Sequence, residues 1–231
     1  MSKLVERDLV VLALDRDGAA LTNLVKQREG WVLPIPGELP SAEVLDLLEK
    51  TLGQVGMLHH TVAIAGGATP GELVDNATSL DVASFRGSIE ANLVSAWAFI
   101  HTCLPWMVKS AGDRSITFCS SRNALAGHGL PAYSAAKAGL HGLLHPLAVE
   151  LGAQGVRVNA VAPGQIATPF ARAYHAAQPG HFERIAASSS LGRLATEEDV
   201  AAAFTALALD LHGVTGQTIV VDAGAHIWRG A

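Results

Sequence analysis

Short apolar runs alternate with helix-forming stretches along this chain, and that alternation restricts it to a small set of folds. The segments "LVVLAL" (9–14), "WVLPI" (31–35), "HTVAIAGG" (60–67), "SITFCSS" (115–121), "VRVNAVAPG" (156–164) and "TIVVD" (218–222) read as buried strands, several running into a turn. Between them lie a helix over 19–28, and "SAEVLDLLEKTLG" with Val44, Leu45, Leu48 and Leu52 on one face. A long helix follows near Phe85 to Val108, and then "AYSAAKAGLHGLLHPLAVELG" (132–152), which Pro146 should bend. Thr196 and Asp199 are spaced as a capping box that opens a last helix, "EEDVAAAFTALAL". Strands that alternate with helices pair in parallel, because each parallel pair needs a crossover, and the helices then cover both faces of the sheet. The expectation is one Rossmann-like, doubly wound α/β domain over residues 1–231, with no linker or internal repeat.

Composition narrows the function classes. Hydrophobic residues make up 49% and charged residues 16% of the chain, which suits a packed globular core. A net charge of −5 with no basic cluster argues against nucleic acid as a partner. The apolar stretch around Leu93 to Val108 is interrupted by Ser95, His101 and Thr102 and is short for a bilayer span, so no membrane is expected. "MSKLVERD" lacks the apolar core of a secretion signal, and the two cysteines, Cys103 and Cys119, fit no zinc or redox spacing; a reduced, cytoplasmic protein is the expectation. His141 and His145 have a metal-ligand spacing of four, but no glutamate or third ligand accompanies them. They read as interface histidines, and no metal is expected.

The chemistry concentrates in "AYSAAK". Tyr133 and Lys137 are four residues apart, so a helix stacks them on one face. An ammonium beside a phenol favours the phenolate and brings the tyrosine into a range useful for proton transfer. Thirteen residues earlier, Ser120 ends a strand, where a hydroxyl can point into the crevice in which α/β sheets bind ligands. A lone Tyr-xxx-Lys pair is more often structural than catalytic, so the pair needs support from elsewhere in the chain.

That support is ordered. "ANLVSAW" with Asn92, "SSRNALAGHGLPAYSAAKAG" with Ser120, Tyr133 and Lys137, "VRVNAVAPGQIATPF" with Pro163, Gly164 and Thr168, "LGRLATEEDVA" and "VTGQTIVVDAG" follow one another as in the short-chain dehydrogenase/reductase family, which this chain resembles from Leu9 to Gly224. The resemblance implies an oxidoreductase that interconverts a ketone and a secondary alcohol with NAD(H). It makes Tyr133 the general acid/base, Ser120 the group that hydrogen-bonds the substrate oxygen, Lys137 the residue that tunes Tyr133 and holds the nicotinamide ribose, and Asn92 a link in a proton relay. Ser121 is a weaker candidate for the serine role. Gly66, Pro163, Gly164 and Thr168 become cofactor-binding residues, and the segment after Gly164 a substrate lid. A homodimer or homotetramer is implied as well.

Two departures qualify this. The family's "NNAG" stands here as Ala63-Ile64-Ala65-Gly66, and no Thr-Gly-xxx-Gly-x-Gly stretch exists in the chain. "LVVLALDRD" matches the family's second strand, which implies that the first strand and its phosphate-binding loop are absent and cofactor binding is impaired or lost. An empty central slot would leave buried backbone groups unpaired. The expectation is therefore that Leu9–Leu14 moves into it, giving six strands in the order 2-1-3-4-5-6, with Asp15 facing water. In its family slot Asp15 would instead accept from the adenosine ribose. The alternatives are a strand supplied by another chain, such as a complete family member in a hetero-oligomer, and a non-catalytic binding module.

Overall fold

The computed structural model describes residues 2–69, 77–126 and 129–227. Six strands are present among them: β1 (Val11–Asp15), β2 (Val32–Pro36), β3 (His60–Ala63), β4 (Arg114–Cys119), β5 (Val156–Pro163) and β6 (Thr218–Val221). The helices are α1 (Ser2–Val5), α2 (Gly18–Gln27), α3 (Ala42–Val55), α4 (Val82–Ile89), α5 (Ser95–Lys109), α6 (Pro131–Gly152), α7 (Pro169–Tyr174), α8 (His181–Ser188) and α9 (Glu197–Leu209). The fold is α/β and Rossmann-like, every strand pairing is parallel, and the elements fall where the hydrophobic pattern puts them. The capping box is made: Thr196 accepts from Asp199 N while Asp199 accepts from Thr196 N. Pro105 and Pro146 both lie inside helices. The glycine-rich stretch "AGGATPG" (65–71) reads as a turn in the sequence, and its residues 70 and 71 lie outside the described residues.

The strand order differs from the expectation. The strands form two sheets, β1-β2 and β3-β4-β5-β6, and no ladder joins β1 to β3. Leu9–Leu14 has therefore not closed against β3 to make one six-stranded sheet in the order 2-1-3-4-5-6. The reason lies in the helices. Val44, Leu48 and Leu52 of α3 pack over Ile35 at the end of β2 and over Ile100, Cys103 and Met107 of α5. Gly37, at φ +144°, lets α3 approach so closely that a Cβ there would sit 2.2 Å from Val44 Cγ2. With β2 held by α3, β1 stays beside β2. On the other face Val5, Ala13, Leu21 and Val32 make a small core of their own, and Arg7 reaches Asp210 just beyond α9. The unjoined edges escape full burial, since Leu12, Leu14 and Val62 are only half-buried and Val10 and Ile64 are exposed, so water can serve some of their backbone groups.

The main core lies between the larger sheet and α3, α5 and α6, with Ile116, Phe118, Leu140 and Leu144 almost wholly enclosed. A second cluster, Val161, Phe204 and Leu207, seats α9 on the opposite face. Each such side chain contributes about 1.5–3 kcal/mol by leaving water.

His60 opens β3 with Nδ1 3.0 Å from Ser115 Oγ, and its pKa falls to about 4. Burial is the chief cause; Asp113 opposes it, and His59, Arg157 and His212 add to it. The folded state thus binds this proton less readily than the unfolded chain, whose histidines titrate near 6.5. The stabilisation is complete above about pH 6.5 and is lost as pH falls towards 4. The melting temperature should decline across that window, and His60→Asn should flatten the decline. An equal slope in the variant would assign the effect to other histidines.

Candidate active site

Strand β4 delivers Ile116 and Phe118 to the α5–α6 core by alternation, and Ser120, next in the same parity, points the same way. Ser120 is buried, its Oγ lying 2.8 Å from His141 Nε2 and donating over a longer 3.4 Å to the Lys137 carbonyl. Ser121 is half-buried and caps the short turn Arg122–Ala124 by accepting from Asn123 N, a local structural task.

Helix α6 begins at Pro131, whose fixed φ and missing N–H suit a first helical turn. Tyr133, Lys137 and His141 then follow one another by single turns along one stripe. Lys137 is buried; its Nζ donates to the Cys119 carbonyl at 2.8 Å and sits 5.7 Å from the Tyr133 ring centroid. Burial lowers the Lys137 pKa, and the nearby Cys119 thiol partly opposes that. Ser120, Tyr133 and Lys137 therefore meet where β4 ends. Burial pushes the Cys119 thiol up, so it offers no ready thiolate.

Asn92 sits in a π-helical turn, Glu90–Val94, between α4 and α5, a distortion frequent at functional sites. Its side chain is fully buried; Oδ1 accepts from Gly67 N at 2.8 Å, and Nδ2 donates to the Gly67 and Ser88 carbonyls. Asn92 thus clamps the turn after β3, and its amide is not hydrogen-bonded to Lys137. Gly66 is demanded by this clamp: φ is +129°, and a Cβ would lie 2.4 Å from Asn92 Oδ1. Pro163 ends β5 beside Val221, and Gly164 N donates to the Val221 carbonyl. A Cβ on Gly164 would meet Asp222 Cβ at 2.3 Å. Thr168 caps α7 by accepting from Ala171 N. Gly66, Gly164 and Thr168 each shape a turn beyond a strand's carboxyl end.

Asp15 lies elsewhere, exposed at the end of β1. Its Oδ1 accepts from Asp17 N, Asp17 in turn caps α2 at Ala20 N, and Arg16 pairs with Glu38 at 2.9 Å. The amides that open this helix are thus met partly by the chain's own carboxylates, and a pyrophosphate here would face Asp15 and Asp17. At this turn the residues do not fit a phosphate cradle. At the end of β4 the buried Lys137 ammonium, beside the Tyr133 ring, does suit a nicotinamide ribose.

Two residues escaped sequence reasoning. His141 was read as an interface histidine, and its contact with Ser120 was not foreseen; its place one turn beyond Lys137 on the same stripe was the available signal. Arg157, inside the buried run of β5, gave no signal of its own. Among the described residues no group of three or more metal-ligating side chains exists, and no helix is long and apolar enough to cross a membrane.

A parallel α/β sheet carrying a tyrosine–lysine stripe at the carboxyl end of a central strand defines a Rossmann-like oxidoreductase. Residues 6–226 match the family model described as enoyl-(acyl carrier protein) reductase, and the chain belongs to the short-chain dehydrogenase/reductase family. Mouse L-fucose dehydrogenase is 30% identical, aligning with 98% of this chain and 82% of its own length. A solved oxidoreductase of the same family from Burkholderia thailandensis is 35% identical, with a TM-score of 0.87 over 99% of this chain and 89% of its own. A 7α-hydroxysteroid dehydrogenase solved with NADH and 7-oxo glycochenodeoxycholic acid is 25% identical, with a TM-score of 0.81 over 93% and 83%. Alignments that take in nearly all of this chain give no support to the expectation of a lost first segment.

Proposed function

We propose that this chain interconverts a ketone and a secondary alcohol at Ser120, Tyr133 and Lys137, with NAD(H) held firmly at its nicotinamide end and weakly at its pyrophosphate. The observation that carries the reading is Lys137: a buried ammonium, anchored on the Cys119 carbonyl, beside the Tyr133 ring. Its charge favours the phenolate and so tunes Tyr133 to give a proton to the substrate oxygen during reduction and take it back during oxidation. Ser120 hydrogen-bonds the same oxygen where charge develops. A bound nicotinamide supplies the hydride. Asn92, through Gly67, keeps the turn after β3 shaped for the ribose.

The weak end is the pyrophosphate: no Thr-Gly-xxx-Gly-x-Gly loop occurs in the chain to cradle it, and Asp15, kept beside β2, stands where an adenosine ribose would lie. Losing two charge-assisted hydrogen bonds to phosphate costs about 3–6 kcal/mol, or roughly two to four decades in affinity. The carboxylates of Asp15 and Asp17 also oppose a 2′-phosphate, which favours NAD(H) over NADP(H). Titration with NADH and NADPH, followed by fluorescence and melting temperature, should give dissociation constants above roughly 100 μM, with NADH the tighter. Low-micromolar binding would overturn the weak-grip reading. L-fucose, named for the mouse relative, is the first alcohol to try.

The unjoined edges of β1 and β3 favour a second reading, in which a strand from another family member enters between them and this chain serves as a partner subunit. Co-elution with such a protein supports it, and separate elution counts against it. Exposed Val94 and Trp97, beside α6, and Val149 on α6 also favour assembly of this chain as a homodimer or homotetramer through that face.

A further inference from the structure

The hydrogen bonds of Ser120 assign a role to His141 that rests on the Ser-Tyr-Lys reading and deepens it. A serine hydroxyl carries one proton and two lone pairs. Ser120 Oγ is in contact with two groups: the Lys137 carbonyl at 3.4 Å, which can only accept, and His141 Nε2 at 2.8 Å, which can do either. If Ser120 gives its proton to the carbonyl, the short contact is filled by the ring donating. We propose that His141 is a positioning residue, held in its Nε2–H tautomer, which donates to Ser120 Oγ and so keeps the serine proton free to swing from the Lys137 carbonyl to the substrate oxygen.

The energetics favour this division. The bond to be exchanged when substrate arrives is the long, weak one, and the bond that orients the oxygen is the short one and persists. The opposite arrangement, Ser120 donating to a bare Nε2, would lock the proton into the 2.8 Å contact and turn only lone pairs towards the substrate. A bound carbonyl needs a donor there. The surroundings also keep His141 neutral: burial lowers its pKa, and His145 one turn on adds to that. Lys137, one turn before, carries its ammonium to the Cys119 carbonyl. A neutral ring with a fixed tautomer is what a positioning donor requires.

Side-chain 15N NMR of the histidines tests the assignment without any turnover. His141 Nε2 should resonate in the protonated range and Nδ1 in the bare-nitrogen range at neutral pH, and Ser120→Ala should move the Nε2 signal. A bare Nε2, or a signal indifferent to Ser120→Ala, overturns the proposal. If the wild type turns over L-fucose with NAD, His141→Leu should lower kcat by about tenfold, the worth of one hydrogen bond, with KM little changed. His141→Gln, whose amide N–H can stand near Nε2, should recover most of that loss. Equal losses in both variants would also overturn it. A wild type that shows the expected tautomer but turns over nothing sinks the oxidoreductase reading and leaves the hydrogen-bond assignment standing.

Discussion

Tyr133→Phe should reduce turnover by about 10²–10⁴-fold, the usual worth of a general acid/base, while leaving NADH affinity and melting temperature nearly unchanged. The substitution removes one oxygen from a half-buried ring and no apolar contact. Lys137→Met should behave differently. It takes the buried ammonium from the Cys119 carbonyl and from beside the Tyr133 ring, so kcat and nicotinamide binding should fall together. The contrast separates proton transfer from cofactor grip. Steady-state kinetics with a turned-over alcohol, beside NADH titration of each variant, decides it. A Tyr133→Phe enzyme within about threefold of wild type would remove Tyr133 from the chemistry.

Much of this site was legible because its signals are local. Tyr133 and Lys137 declare themselves by helical spacing, Ser120 by its place at a strand end, and Thr196 with Asp199 by the capping box. What could not be read depends on how distant elements settle against one another. Asn92 was expected to connect Lys137 through water to a proton relay; what no spacing announced is that its side chain also holds Gly67 and Ser88, because the turn after β3 lies against the π-helical turn. Leu9–Leu14 was expected in the central slot, an argument from backbone pairing alone. The lateral position of β2 is set instead by the fit of α3 at Gly37 and Val44, which no periodicity in β1 encodes. Asp15 was placed facing water on the premise that Leu9–Leu14 fills the central slot; β1 stays beside β2 instead, so that premise fails, while the carboxylate accepts from Asp17 N.

Arg157→Leu should destabilise the protein by about 3–5 kcal/mol, chiefly because it strips buried carbonyls at the end of a helix of their donor and only secondarily because it breaks an ion pair whose Asp113 side faces water. Arg157 is 7% exposed, between Val156 and Val158 on β5. Its guanidinium donates from Nε and Nη2 to Asp113, and from Nη1 and Nη2 to the Leu207, Ala208 and Leu211 carbonyls at the end of α9. The Leu207 and Ala208 carbonyls lie in the last turn of α9, where no intrahelical N–H reaches them, and a cation there also answers the negative end of the helix dipole. Arg157 thus ties β5, α9 and the turn before β4 together beneath the sheet that carries Ser120. Burial raises the Asp113 pKa, but the hydrogen bond and charge of Arg157 outweigh that and leave it below the ordinary carboxylate value. This contribution is therefore complete above the unfolded carboxylate pKa and is lost as pH falls through the lowered folded value. At neutral pH the loss in Arg157→Leu should appear in full, as a fall in melting temperature of about 6–20 °C for a chain of this size. Arg157→Lys should recover little, since one ammonium cannot span Asp113 and three carbonyls. Arg157→Leu combined with Asp113→Leu should recover only the part due to the stranded carboxylate, because the α9 carbonyls stay uncapped. If the double variant returned to wild-type stability, the ion pair alone would account for the effect and the cap of α9 would contribute nothing.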